Sequence, residues 1–313
     1  MNHQPSTRNH PNRRQFMGAS AAVVAGSLMT DPETGQAADT NRHGENPICV
    51  FTKPFNSLSF DELADQIAEL GFDGVEAPIR KGGHIEPEHV EQELPELVEA
   101  LKKRNLEITV LTSDVNDPDD PVTTRVLRTA ATLGIKRYRM KYYKYDLRES
   151  VMSQIAAWRP KLKQLAAMNH DFGLTAVYQN HAGTNYLGAA LWDLHLALQG
   201  IDPSDIGVAY DIRHATAEGG MSWPTTFNMI EPLIDTVYVK DFEWKEGQKP
   251  SNVPLGTGRI DPKFFKLLAA TGFSGPISLH EEYLDHRKPE LVPEHLTAIK
   301  TDLAALRTML ATK

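Results

Sequence analysis

Nine polar or ionisable side chains stand near the ends of short apolar runs in this 313-residue sequence: Glu76, Arg139, Gln179, His181, Asp211, His214, Lys240, His280 and Glu282. Carboxylates and imidazoles exchange protons near neutral pH, and a lysine or arginine steadies an oxygen on which negative charge develops. Gathered at one place, these groups could take a proton from a carbon beside a carbonyl and return it. A single strand-end histidine is more often a satisfied structural residue. Nine such groups converging exceed what packing requires.

Convergence needs a scaffold that ends many strands at one face. From Ile48 onward the chain alternates β-branched or aromatic runs with longer amphipathic segments. Strands are expected at 48–51, 74–77, 107–112, 137–142, 174–180, 207–212, 236–242 and 276–281. Helices are expected at 59–70, 88–104, 121–133, 149–169, 189–198, 223–234, 262–270 and 289–310. Ser59 and Glu62 form a capping-box pair at the first helix, and Gly71 stops it. Eight strands alternating with eight helices over a single domain is the pattern of a (β/α)8 TIM barrel in the α/β class. A doubly wound open sheet is the alternative, but no Gly-x-Gly-x-x-Gly turn follows the first strand, so no nucleotide cofactor is expected.

Strand periodicity then sorts the side chains. Val75 and Ala77 should face the helices, leaving Glu76 inward. Val208, Tyr210 and Ile212 leave Asp211 inward, with His214 in the loop just beyond. Val237 and Val239 leave Tyr238 and Lys240 in the lumen, and Ile277 and Leu279 leave Ser278, His280 and Glu282 there. Gln179 and His181 share a face assigned inward. The fourth strand alternates Arg137, Arg139 and Lys141 against Tyr138, Met140 and Tyr142, so at least one base reaches the pocket. Lys240, His280 and Glu282 are the catalytic candidates; Glu76, Arg139, Lys141 and His181 are the substrate-binding candidates. His43, His84, His89, His170, His195, His286 and His295 lack comparable convergence and read as surface residues.

Composition narrows the function. With 33 basic and 41 acidic residues the formal net charge is −8, which disfavours a phosphate-backbone partner such as nucleic acid. One cysteine, Cys49, excludes an intrachain disulfide and a cysteine-based zinc cluster. Arg13-Arg14, a spacer and Phe16 precede the small-residue apolar stretch from Gly18 to Met29, which is too short for a stable membrane anchor. Residues 1–37 are therefore expected to be a twin-arginine signal cleaved near Ala37, and 38–47 a flexible segment before the barrel at 48–313. Export would deliver the enzyme to the periplasm or another extracytoplasmic space, at a mature charge of −9.

Gly71-Phe72-Asp73-Gly74-Val75-Glu76, Gln179-Asn180-His181-Ala182-Gly183, Asp211-Ile212-Arg213-His214, Lys240-Asp241-Phe242 and the run from Gly275 to Tyr283 together resemble the xylose-isomerase-like barrel superfamily of sugar isomerases and epimerases. The resemblance spans about Ile48 to Leu310. It implies an isomerase or epimerase acting on a small sugar, keto-sugar or polyol, with a keto-sugar lyase or dehydratase and a non-catalytic carbohydrate-binding barrel as alternatives. Sugar-isomerising members hold one divalent cation with Glu, Asp, His and Glu from strands five to eight, and the two glutamates exchange the proton. At those places this sequence has Gln179, Asp211, Tyr238 and His280. Two expected carboxylates are replaced. One repair is a nitrogen-rich set of Gln179, Asp211, His214 and His280, suited to manganese, zinc or iron over magnesium. The other dispenses with the metal and uses the charge of Lys240.

Overall fold

A computed structural model describes residues 46–247 and 249–311. The expected signal, residues 1–37, lies outside the described residues, as does most of the segment 38–47. The capping box expected at the first helix is present: Ser59 Oγ accepts from Glu62 N at 3.3 Å while Glu62 Oε2 accepts from Ser59 N at 2.9 Å. Gly71 then closes α1 (Phe60–Leu70) with φ +81°, a left-handed conformation that costs glycine little.

Eight parallel strands close into a barrel: β1 (Ile48–Phe51), β2 (Gly74–Ile79), β3 (Glu107–Ser113), β4 (Arg137–Arg139), β5 (Thr175–Gln179), β6 (Ile206–Asp211), β7 (Ile234–Val239) and β10 (Ile277–Leu279). The remaining helices are α2 (Val90–Lys102), α3 (Pro121–Thr132), α4 (Val151–Phe172), α5 (Trp192–Leu198), α6 (Ile212–Gly219), α7 (Trp223–Ile230), α8 (Lys263–Ala270) and α9 (Val292–Ala311). Val75, Ala77, Val208, Tyr210, Val237, Val239, Ile277 and Leu279 belong to the large apolar core, the assignment that strand periodicity predicts for the outer face. Val110, Val177, Ala209 and Tyr238 form a separate buried cluster. They fill the lumen from four strands, so the polar residues beyond them stand on a packed floor.

The structure corrects the expected elements in three places. Strand β4 ends at Arg139 rather than continuing to Tyr142. The stretch after β6 is a helix, α6, because the Asp211 side chain accepts from His214 N at 3.1 Å and caps it; His214 is thus helical, not in a loop. The run expected as one strand from 236 to 242 breaks at Lys240, and β8 (Asp241–Lys245) turns away to pair antiparallel with β9 (Lys249–Val253).

The cause of that break is Asp241. Its buried carboxylate accepts from the backbone N–H groups of Phe242 (2.8 Å), Gly256 (3.0 Å), Gly258 (2.9 Å), Arg259 (2.8 Å) and Ile260 (3.1 Å). One carboxylate thus gathers N–H groups from the start of β8 and from the loop after β9. A Cβ at residue 258 would lie 2.3 Å from Asp241 Oδ1, so only glycine admits the approach. His295, expected at the surface, is instead fully buried on α9, where its Nδ1 meets the Glu281 carboxylate. It lies on the apolar stripe of α9 with Ile299 and Leu303, and the period of that stripe overrides its polarity.

Asp241→Ala should destabilise the barrel by at least about 3 kcal/mol, because several buried N–H groups lose their acceptor together. Urea unfolding of the variant checks this; a change below about 1 kcal/mol would mean that the loop holds itself.

Candidate active site

The carboxyl-terminal ends of the strands deliver the polar side chains to one mouth, and the centre of the arrangement is Lys240. Its Nζ donates to Glu282 Oε2 at 2.7 Å and lies 3.2 Å from Asp211 Oδ2. Asp211 arrives at the end of β6, Lys240 just after β7, and Glu282 three residues after β10. Lys53, in the short turn after β1, adds a second cation 3.6 Å from Glu282 Oε1. Burial alone would discharge Lys240, but Asp211 and Glu282 outweigh it and hold its pKa above the ordinary lysine value. Burial likewise opposes ionisation of Glu282, yet Lys240, His280 and Lys53 hold its carboxyl well below the usual range. Both members of the pair are charged at neutral pH.

A second network adjoins the first. Gln179 Nε2 donates to Asp211 Oδ2 at 2.7 Å, and Gln179 Oε1 accepts from Arg139 at 2.6 Å and from the Tyr142 hydroxyl. Asn180 fixes Asp211 through its backbone: Asn180 Oδ1 accepts from Asp211 N at 2.7 Å and Asn180 Nδ2 donates to Asp211 O at 3.1 Å. Deeper still, the wholly buried Glu76 accepts from Ser278 Oγ at 2.7 Å and Thr112 Oγ1, and its Oε2 lies 2.8 Å from His280 Nε2. Arg139 Nε stands 3.8 Å from the other oxygen. Burial would raise the Glu76 pKa, but His280 and Arg139 bring it down to about 2.

One wall is aromatic. The His181 ring centroid lies 4.1 Å from that of His214, 4.7 Å from Tyr186 and 5.0 Å from Tyr142. Burial and the Lys240 charge lower the His181 pKa to about 4, and burial, Lys240, His181 and Arg213 put His214 well below its usual value. Both imidazoles are neutral at pH 7.

Seven of the nine sequence-derived strand-end side chains meet in the two networks, and His181 and His214 stand together on the wall. Lys141 is the exception among the wider candidates. Its side chain is exposed, because β4 ends at Arg139 and the alternation that would turn residue 141 inward ends with it; Tyr142 reaches Gln179 instead. The four residues of the nitrogen-rich metal set are engaged differently. Among the described residues no group of three or more His, Cys, Asp or Glu side chains is arranged to hold an ion. His280 Nε2 is engaged with Glu76, the Gln179 oxygen accepts from two donors, and Asp211 Oδ2 faces the Lys240 cation. His214 Nε2 is buried without a hydrogen-bond partner, 3.5 Å from Asp211 Oδ2, but a single nitrogen beside a lysine is no cation site. The donors present do not fit a divalent metal. Residues that the sequence did not single out are Tyr142, Asn180, Lys53 and Thr112. Asn180 alone carried a signal, being adjacent to Gln179.

The family model described as "Xylose isomerase-like TIM barrel" matches residues 64–309. Among solved structures, a protein described as IolI with a bound zinc atom superposes with a TM-score of 0.68 at 16% identity, covering 85% of this chain and 98% of that one. The 3-keto-D-glucoside 4-epimerase YcjR of E. coli gives 0.63 at 17% identity, with 84% and 100% covered. The probable 3-DHS dehydratase AsbF of Bacillus anthracis gives 0.63 at 16% identity, with 84% and 99% covered. At these identities the likeness is one of fold. No curated protein sequence matches the chain.

The depressed histidine fixes a sign for pH dependence. His181 has a folded pKa near 4 against an ordinary value of 6.5, so the unfolded chain binds more protons between those values and stability must fall as pH drops through that window. His181→Phe should flatten the slope of stability between pH 6.5 and 4.5, above the range where Glu76 titrates. Chemical denaturation across that range checks it, and an unchanged slope would mean that His181 is not buried neutral.

Proposed function

The chain belongs to the xylose isomerase-like TIM barrel family, and from that premise we propose that it processes a small carbohydrate by moving a proton at a carbon beside a carbonyl. The observation that carries this reading is the Asp211–Lys240–Glu282 arrangement. A substrate carbonyl oxygen accepts from Lys240 Nζ; Glu282, whose side chain is 22% exposed against 0% for Asp211 and Glu76, takes the proton from the adjacent carbon. The electron pair of the broken C–H bond forms the enolate C=C, and the resulting oxyanion is held by the ammonium. Return of the proton to the former carbonyl carbon, with the hydroxyl proton passing from one oxygen to the other, gives aldose–ketose isomerisation, and protonation of the enolate from the opposite face by a second donor or water gives epimerisation. Expulsion of a leaving group one carbon further on gives a lyase. An epimerase and a probable dehydratase among the proteins of similar fold support the shared first step. Asp211 and Gln179 are positioning residues, holding the lysine and keeping one side of it occupied.

The twin-arginine motif supports export of this enzyme to an extracytoplasmic space. Among the described residues no helix is long and apolar enough to cross a membrane.

Incubation of the protein with a panel of sugars and keto-sugars in deuterium oxide should show solvent deuterium entering the carbon next to the carbonyl. The rate should be insensitive to chelator and to added manganese or zinc; dependence on either would return the metal to the mechanism. Sugar binding without any exchange would identify a carbohydrate-binding barrel. Glu282→Gln, which leaves Lys240 paired with Asp211 and the fold intact, should lower exchange by about 10²–10⁴-fold. Lys240→Met would strand two buried carboxylates and destabilise the fold, so Lys240→Arg is the informative change. It keeps the charge, displaces it, and should lower exchange by about 10²-fold.

A further inference from the structure

The flat side chains of the aromatic wall continue beyond the site. From His214, whose Nδ1 lies 3.1 Å from Arg213 NH1, the Arg213 guanidinium extends over the Phe242 ring at 5.0 Å from its centroid. The Phe242 ring lies 5.3 Å from that of Trp244. Phe242 and Trp244 are two residues apart on β8 and so share a face of the hairpin, paired across it with Asn252 and Pro250. That face is turned toward the mouth. Asn252 Nδ2 donates to the backbone oxygen of Glu282 at 3.3 Å, and Asn252 Oδ1 accepts from Arg213 Nε at 3.0 Å.

Burial changes abruptly along this row. Phe242, Arg213 and His214 are all buried, whereas Trp244 is 44% exposed. Packing against Phe242 covers only part of the Trp244 indole, and the rest of its apolar area stays open to water. Here a rigid, buried and hydrogen-bonded base presents an indole to solvent at the end of a continuous ribbon that starts at the neutral histidines. The hairpin residues on this face, Phe242, Trp244, Pro250 and Asn252, carry no charge. A pyranose ring matches such a surface, since one of its faces is a patch of C–H groups rimmed by hydroxyls.

We infer that the β8–β9 hairpin with Trp244 is a second sugar-ring subsite and that the substrate is a glycoside of at least two rings, not a free monosaccharide. This rests on the proton-transfer reading of the Lys240 site, where the reacting ring sits. The carbonyl that the Lys240 site needs then comes from the opened hemiacetal of a reducing-end ring or from a ketone on the glycosyl ring, whose anomeric carbon is an acetal.

Calorimetric titration with glucose, cellobiose and maltose, each also with one ring hydroxyl oxidised to the ketone, tests the subsite in the wild type, Trp244→Ala and Trp244→Phe. At least one disaccharide form should bind about tenfold or more tightly than the matching glucose form, an advantage lost in Trp244→Ala and largely kept in Trp244→Phe. Monosaccharide affinity should be the same in all three proteins. Binding of glucose forms with no disaccharide advantage, or an advantage that survives in Trp244→Ala, overturns the subsite and leaves the proton-transfer reading standing. Failure of every sugar to bind overturns both.

Discussion

A lysine held at 5% exposure in a barrel mouth is the constraint from which the rest of this site follows. Taking an ammonium out of water costs several kcal/mol unless opposite charges and hydrogen bonds offset it. Here the offset comes from Asp211 and Glu282, and each of those carboxylates has the same need of the lysine. Neither partner is stable in its place without the other. Asp211 must therefore stand at the end of β6, Lys240 just after β7 and Glu282 just after β10, and every loop that fixes those three positions is under the same requirement. Three buried or half-buried carboxylates, Glu76, Asp211 and Glu282, face three cations, Arg139, Lys240 and Lys53. Near-neutrality over a small volume is what allows so many charges to be withdrawn from solvent.

Two further clamps convert charge balance into geometry. Asn180 holds both the N–H and the carbonyl of Asp211, so the backbone cannot rotate that carboxylate out of reach of Lys240. Asp241 gathers five backbone N–H groups next door and breaks the strand at Lys240, which frees the hairpin to wall the mouth. Both clamps act on the main chain, and neither needs to touch a substrate. Rigid first contacts of this kind are what preorganised electrostatic stabilisation requires.

The departures from the superfamily's ligand pattern are mutually consistent. Gln179 serves as both donor and acceptor between Arg139 and Asp211, a double role that a carboxylate could not fill. Tyr238 packs into the lumen floor with Val110, Val177 and Ala209. His280 turns its Nε2 to Glu76. A divalent ion at Asp211 would compete with the Gln179 and Lys240 contacts and stand next to a cation that would repel it. Under the proposed proton-transfer reading, the three replacements and the inward lysine go together, with the ammonium of Lys240 supplying the positive charge at the carbonyl oxygen.

The barrel was legible in the sequence because its determinants are local and periodic. Alternation of apolar and polar residues separates Glu76 from Val75 and Ala77, and Lys240 from Val237 and Val239, without any knowledge of the partner strands. Capping chemistry at Ser59, Glu62 and Gly71 is likewise contained within a dozen residues. Periodicity failed where a strand ended early, as at Arg139, and where a polar residue shared an apolar stripe, as His295 does. Pairing was settled only in three dimensions. That Lys240 lies between Asp211 and Glu282, that Tyr142 rather than Lys141 reaches Gln179, and that Arg213 links His214 to the hairpin all depend on loops from different strands meeting at one mouth. A linear pattern fixes which face a side chain takes, because that depends on neighbours in sequence. Which charge it meets depends on the closure of the barrel, because the partners of Lys240 stand at the ends of other strands.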